Sequence, residues 1–420
     1  MLALRQFRKK TQALPDLLNF AALVDDGVVL TKSGALIGGF YYRGRDLASS
    51  TVTERNNVAG RINAGLSRLG SGWVAWIDAM RLPVSAYSAK SDSTFGDLVC
   101  NWIDNERRKH FMSESTHYES EYVMLFMYDP PARKEQRLKE LVYDDDFSQD
   151  ASTTNPGPKI IEQFNHVLRD MEDFFGDVLK LRRMKGEMKT VGQTTVLRDD
   201  LVTYLHYCVT GTIQPINIPP CPMYLDAYLG GVEAWAGDTP KIGDQFVGAI
   251  TIEGFPHETA PNMLDALDHL AMPYRWSTRF IFLDQHEATS QLSKFRRKWK
   301  QKEKGFWSQV FRTKSGVLNE DAVMMTRTAE KALTDASSDL VTFGYYTATI
   351  ILHASSREQL EENTRLVVRE VRRLGFAARH ETVNTMECWI GSIAGHPWAN
   401  VRRPMMHTLN LSDLLAVEYH

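Results

Sequence analysis

From Asp244 onward the chain alternates β-rich runs with amphipathic helical stretches, and this alternation restricts the fold more than any other feature. Phe246 to Ile252 reads as a strand, Pro261 to Leu270 as a helix, Tyr274 to Leu283 as a strand, and Glu287 to about Lys304 as the start of a long helix. Leu340 to His353 then reads as a long strand, Arg357 to Leu374 as an amphipathic helix and Phe376 to Val383 as a returning strand. Two strand-helix-strand units, with a helical excursion over 286–336 between them, predict a split, ferredoxin-like α+β lobe over 241–390.

A second lobe is expected before it. Gly27 to Gly39 alternates β-formers around the turn Lys32-Ser33-Gly34, which makes a hairpin. Ser50 or Thr51 is placed to cap a helix with Glu54 in its first turn and Val58, Ile62, Leu66 and Leu69 as its apolar face. Trp73 to Asp78 reads as a short apolar strand leading to Arg81 and a loop; a helix near Phe95 to Phe111 and a strand from Glu121 to Met127 complete a first α/β lobe over 1–142. Tyr143 to Pro158 is dense in acids, Ser, Thr, Gly and Pro, a composition that builds no core, so 143–158 is expected to be a flexible linker. Ile160 to Leu181 and Asp199 to Val209 read as helices of a helical insertion and connection over 159–240. The fold class is α+β: two α/β lobes with helical insertions.

A chain of 420 residues with 43% hydrophobic and 24% charged residues can bury two or three cores. A formal net charge of -3 argues against a whole-molecule footprint for nucleic acid. Cys100, Cys208, Cys221 and Cys388 are scattered without a CxxC pair, which disfavours a disulfide framework or zinc knuckle and fits a reducing cytoplasm. No run approaches the roughly 18 apolar residues of a membrane span, so membrane contact is expected to be peripheral. Leu2, Leu4 and Phe7 among Arg5, Arg8, Lys9 and Lys10 read either as a short basic anchor or as a frayed terminus.

Catalytic signatures are scarce. A P-loop ends in Gly-Lys-Ser/Thr so that backbone amides and one lysine hold the phosphates, and the dipeptide Gly-Lys does not occur in the sequence. Phe280 to Asp284 imitates the apolar strand and terminal acid of a Walker B motif, but without a P-loop it reads as an ordinary strand end. HExxH, GxSxG and GxGxxG are absent, and His206, Cys208 and Cys221 lack a fourth metal ligand nearby in sequence. No catalytic, cofactor-binding or metal residue is therefore assigned.

The one charge cluster of note is Lys294 to Lys314, with nine Lys or Arg residues against Glu303 alone. Phe295, Trp299, Phe306 and Val310 recur at helical spacing, which makes one aromatic stripe with Lys294, Arg296, Arg297, Lys298 and Lys300 around it. Such a surface suits a docking partner, an anionic membrane surface or, by stacking, single-stranded nucleic acid; it equally fits a solvated helix whose stripe is core. Docking is the favoured reading.

The last stretch, Gly391 to Leu415, carries punctuation at Gly395-His396-Pro397 and Arg403-Pro404 and reads as a tether. Its Gly395, Asn400, Arg402, Arg403, Asn410, Leu411, Ser412, Asp413 and Leu414 resemble the segment that joins the two domains of the TrbE/CagE/VirB-type type IV secretion ATPases. Ala394 and Ala416 stand where the family often has proline. The order hairpin, Gly44-Arg45-Asp46, helix, strand, Arg81 resembles the opening of the same family. The resemblance implies an N-terminal assembly domain without hydrolysis of its own, with 391–420 leading toward a RecA-like ATPase domain. ATP and magnesium are expected only with that further domain. It also implies self-association as a dimer or hexamer, docking to small inner-membrane subunits of the secretion channel, and a place in the bacterial cytoplasm at the inner membrane. A stand-alone nucleic-acid-binding module, or an enzyme of unidentified chemistry, is the alternative.

Overall fold

The computed structural model describes residues 13–45, 49–84, 87–88, 90, 95–113, 117–130, 157–191, 194–218, 223–255, 264, 267, 269–294, 341–400 and 404–415. A short helix α1 (Leu14–Leu17) leads into β1 (Phe20–Asp25) and β2 (Val28–Thr31). Next come β3 (Leu36–Arg43), α2 (Val52–Leu66), β4 (Trp73–Val84), α3 (Leu98–Ser113), β5 (His117–Tyr128), α4 (Gly157–Gly176) and β6 (Lys180–Arg183). The hairpin β7 (Gly186–Val191) and β8 (Thr194–Asp199) forms its own sheet, followed by α5 (Asp200–Thr210) and α6 (Leu225–Leu229).

The second series is β9 (Ala234–Trp235), β10 (Lys241–Ile242), β11 (Gln245–Gly254), β12 (Tyr274–Phe282), β13 (Phe343–Ala354), α7 (Arg357–Arg373) and β14 (Ala377–Glu381). It ends in α8 (Thr385–Gly391), β15 (Met405–His407) and α9 (Thr408–Asp413). Strand order explains how the two series relate. In the first, the neighbours run β6-β3-β5-β4; in the second, β14-β11-β13-β12. Numbered within each unit both read 4-1-3-2, the order of a split strand-helix-strand pair. Even the preceding hairpins match, since β2 pairs with the start of β3 as β10 pairs with the start of β11.

The two units share one sheet. Their equivalent edge strands β4 and β12 pair antiparallel from Tyr274↔Arg81 to Ile281↔Val74, which fuses both into one 13-stranded sheet. The apolar run alone ends the strand at Asp78; β4 continues to Val84 because all twelve of its residues find partners on β5. Over 159–240 the helical insertion also holds strands β6 to β9. There the apolar pattern of α4 runs on past Gly176 through Leu179 and Leu181 although the helix has stopped. The 143–158 boundary lies outside the described residues up to 156.

Helices cover both faces. On one, Ile62 and Leu66 of α2, Phe164, Leu168 and Phe175 of α4, Leu360 and Val367 of α7, and Leu411 of α9 close over the sheet. On the other lie Leu201 and Leu205 of α5, Leu225 of α6 and Trp389 of α8. A sheet buried on both sides needs apolar residues at odd and even positions alike, as in Val123 to Met127. Local signals set the helix starts: Thr51 Oγ1 accepts from Glu54 N at 3.3 Å and Thr51 N donates to Glu54 Oε2 at 2.7 Å, a reciprocal cap. Gly34, at φ 95, turns β2 into β3.

Candidate functional site

The chemistry of the molecule is concentrated where the units meet. Arg275 and Arg279 sit four residues apart on β12, and the two-residue period of a strand aims both at the same face. Each is 1% exposed. Arg275 donates from Nη1 to Asp78 Oδ2 of β4 at 2.8 Å and to the Ser392 carbonyl at 2.8 Å, and from Nη2 to Ser392 Oγ at 2.6 Å. Tyr204 of α5 donates its hydroxyl to the same Asp78 oxygen. One buried cluster thus ties the two units, the covering helix α5 and the residue after α8.

Arg279 holds the next segment. Its Nη1 donates to the carbonyls of Ala399 at 2.6 Å and His396 at 3.1 Å, and its Nη2 to Thr347 Oγ1 at 3.2 Å. Trp76 Nε1 donates to the Gly391 carbonyl at 3.2 Å. From the opposite side Asn19 N donates to His396 Nε2 at 2.9 Å, and Asn19 Nδ2 to the Gly395 carbonyl at 2.8 Å.

Electrostatics follow from burial. Desolvation alone would lower the Arg275 guanidinium, but Cys208, Asp78 and Tyr204 together outweigh it and hold Arg275 above its usual value. Burial pushes Tyr204 well up, with Asp78 adding to it, and pushes the Cys208 thiol up to about 11, so neither is an acid or nucleophile near neutrality. Burial lowers His396 to about 4; and it lowers His353 to about 3, with Arg275 adding to the effect. Both imidazoles are neutral at pH 7, and the His396 contacts fit a tautomer that donates from Nδ1 to the Ile393 carbonyl.

The segment expected to be a tether is therefore packed. Gly395 is buried at φ 94, where a side chain would meet Ile37 Cδ1 at 3.0 Å, and Asn400 is 5% exposed with φ 67. Neither position tolerates a free linker. Asn410 and Asp413 belong to α9, which rests on α2, and β15 pairs with β13. Arg402 and Arg403 lie outside the described residues, as do Phe295, Arg296, Arg297, Lys298, Trp299, Lys300 and Phe306. Lys294 is described, at the exposed end of a helical run over 285–294. Asp284, the acid of the Walker B look-alike, accepts from Ser71 N at 2.8 Å and so closes the turn before β4.

Sequence reasoning assigned no role to Asp78, Tyr204, Arg275, Arg279 or Ser392. One signal was present: two arginines of equal parity inside the apolar strand Tyr274 to Phe282 must be buried together, and buried arginines need acceptors. A second candidate, a cleft of ≈ 290 Å³ at the end of β3, is lined by Tyr41, Arg43, Glu121, Lys180 and Arg182. Burial, then Glu119, raises the Glu121 carboxyl; Arg182 is already paired with Asp200 at 2.6 Å. Among the described residues no cluster of His, Cys, Asp and Glu has the makings of a metal site, and no helix is long and apolar enough to cross a membrane.

The sequence that builds this sheet matches known families. Residues 27–136 match the model for the type IV secretion system ATPase VirB4/TrbE, N-terminal domain, and residues 187–402 match that for the CagE, TrbE, VirB family, component of type IV transporter system. The chain belongs to this family of type IV secretion ATPases. It is 41% identical over 417 residues to the conjugal transfer protein TrbE of Rhizobium radiobacter, covering 99% of the chain and 50% of that protein. Similarity extends to the probable conjugal transfer protein TrbE of Sinorhizobium fredii, which is divided between two polypeptides. The second of these is 40% identical over 254 residues, 60% of this chain and 38% of that one. The first is 40% identical over 141 residues, 34% of this chain and 95% of that one. The chain spans about half the length of the Rhizobium radiobacter relative.

Proposed function

We propose that this chain is the assembly and docking module of a conjugal transfer ATPase, working at the cytoplasmic face of the bacterial inner membrane. It holds small inner-membrane subunits of the secretion channel and other copies of itself in place. ATP and magnesium are handled by the portion of the relatives' length that this chain does not cover. Energy released there drives pilus biogenesis and export of DNA or protein.

The observation that carries this reading is the destination of the buried ionisable groups. Asp78, Arg275, Arg279 and Tyr204 tie the units to each other and to 391–400, which is how a rigid platform is built. The docking element in this reading is Lys294 to Lys314, with Phe295, Trp299 and Phe306 as apolar anchors among the cations. Deleting 295–314 in the donor cell is expected to abolish channel assembly and plasmid transfer while leaving the protein level unchanged. Normal transfer by that deletion strain would remove the docking role.

A further inference from the structure

The two units correspond residue by residue through their seam. Asp78 faces Ser277, and on either side of that pair Met80 faces Arg275 as Arg279 faces Trp76, a local two-fold relation. One strand further out, Asp78 faces Val123 as Ser277 faces Thr349. Beyond these, Val123 faces Tyr41 as Thr349 faces Thr251, and Tyr41 faces Arg182 as Thr251 faces Arg379. The cleft at the end of β3 therefore has a counterpart in the second unit. Counting two residues along each strand, Arg43 stands where the second unit has Glu253, and Glu121 where it has Thr347.

The counterpart is closed on itself. Arg379 Nε lies 3.4 Å from Glu253 Oε1, and Thr347 Oγ1 accepts from Arg279. In the first unit a base replaces the acid, and the place stays open. Arg43 faces Lys180 directly across β3 and β6, and like charges at opposed positions repel. Lys180 has no ion pair among the described residues, and Glu119 lies 3.7 Å from Arg43, longer than the about 2.8 Å of a charge-assisted hydrogen bond. Arg182 is held by Asp200 at 2.6 Å and lies 4.4 Å over the Tyr41 ring. On the other side of Arg43, one step past the last β3·β5 pair, stands Glu121, whose carboxylate accepts no hydrogen bond among the described residues.

Two opposed cations call for a doubly charged anion, and a phosphate monoester carries about -1.5 to -2 at neutral pH. Neighbouring strands are about 4.8 Å apart, so Glu121 lies roughly 10 Å across the sheet from Lys180. A carboxylate at that reach accepts from hydroxyls on the ligand and repels a second anionic group, which disfavours polyanions. The cleft, of ≈ 290 Å³, has room for one sugar phosphate.

We propose that this cleft binds a phosphorylated sugar, free or within a mononucleotide, with the phosphate between Arg43 and Lys180 and sugar hydroxyls donating to Glu121. The site is separate from the assembly role and does not depend on it. Isothermal titration of the full chain with ribose-5-phosphate, adenosine monophosphate and inorganic phosphate tests it. Ribose-5-phosphate is expected to saturate a single site at least tenfold more tightly than inorganic phosphate. Lys180→Glu should weaken both at least tenfold with an unchanged circular dichroism spectrum, whereas Glu121→Ala should weaken ribose-5-phosphate alone. Tighter binding of adenosine monophosphate than of ribose-5-phosphate supports the proposal and names a nucleotide as the source; equal binding supports it and names the free sugar phosphate. No saturation by either compound up to roughly 10 mM overturns the proposal. So does binding indifferent to Lys180→Glu, or inorganic phosphate bound as tightly as ribose-5-phosphate.

Discussion

Arg275 is buried at 1% exposure, and its charge is balanced chiefly by one carboxylate, Asp78. Removing that carboxylate by Asp78→Ala leaves a cation in a site 1% exposed, which costs about 3–5 kcal/mol, whereas replacing both partners by apolar groups recovers much of the loss. Urea denaturation of Asp78→Ala, Arg275→Met and the double variant is expected to show a double variant more stable than Asp78→Ala alone. The buried histidines give a pH signature of known sign. An unfolded histidine takes a proton near pH 6.5, but folded His396 and His353 stay neutral down to about 4 and about 3. Their contribution is therefore complete above pH 6.5 and is lost progressively as the pH falls toward those values. Thermal unfolding at pH 7.5 and pH 5.0 should show this loss, and His396→Gln should narrow the difference between the two.

At the scale of elements, the sequence carried the local signals well and the assembly poorly. The cap at Thr51, the turn at Gly34, the amphipathic helix α7 and the strands β11 to β14 could all be read, because each depends on neighbours in sequence. The β4·β12 pairing depends on residues almost 200 positions apart, and nothing local records it. The same holds for 391–400: its glycine, proline and histidine read as loop punctuation, and only the arrival of Arg279 and Asn19 shows why a loop composition is buried. Short strands such as β6 and β9 escape a periodicity argument because two to four residues define no period. The family resemblance was legible all the same, since it rested on motifs at both ends of the described fold.

For the whole molecule, one sheet shared by two units predicts one unfolding event. Cutting the seam would expose eight paired positions on each strand, together with both arginines, so neither unit has a reason to melt first. Calorimetry of the 420-residue chain should give a single endotherm whose van't Hoff and calorimetric enthalpies agree; two resolved transitions would contradict the shared sheet. The seam also has a meaning in time. A ribosome delivers β4 long before β12, and at roughly 5–20 residues per second the interval is on the order of 10–40 seconds. During that interval the nascent chain carries a bare, apolar strand edge of the kind that recruits stray strands. The half-made chain, rather than the finished fold, is then the form most open to stray strand pairing.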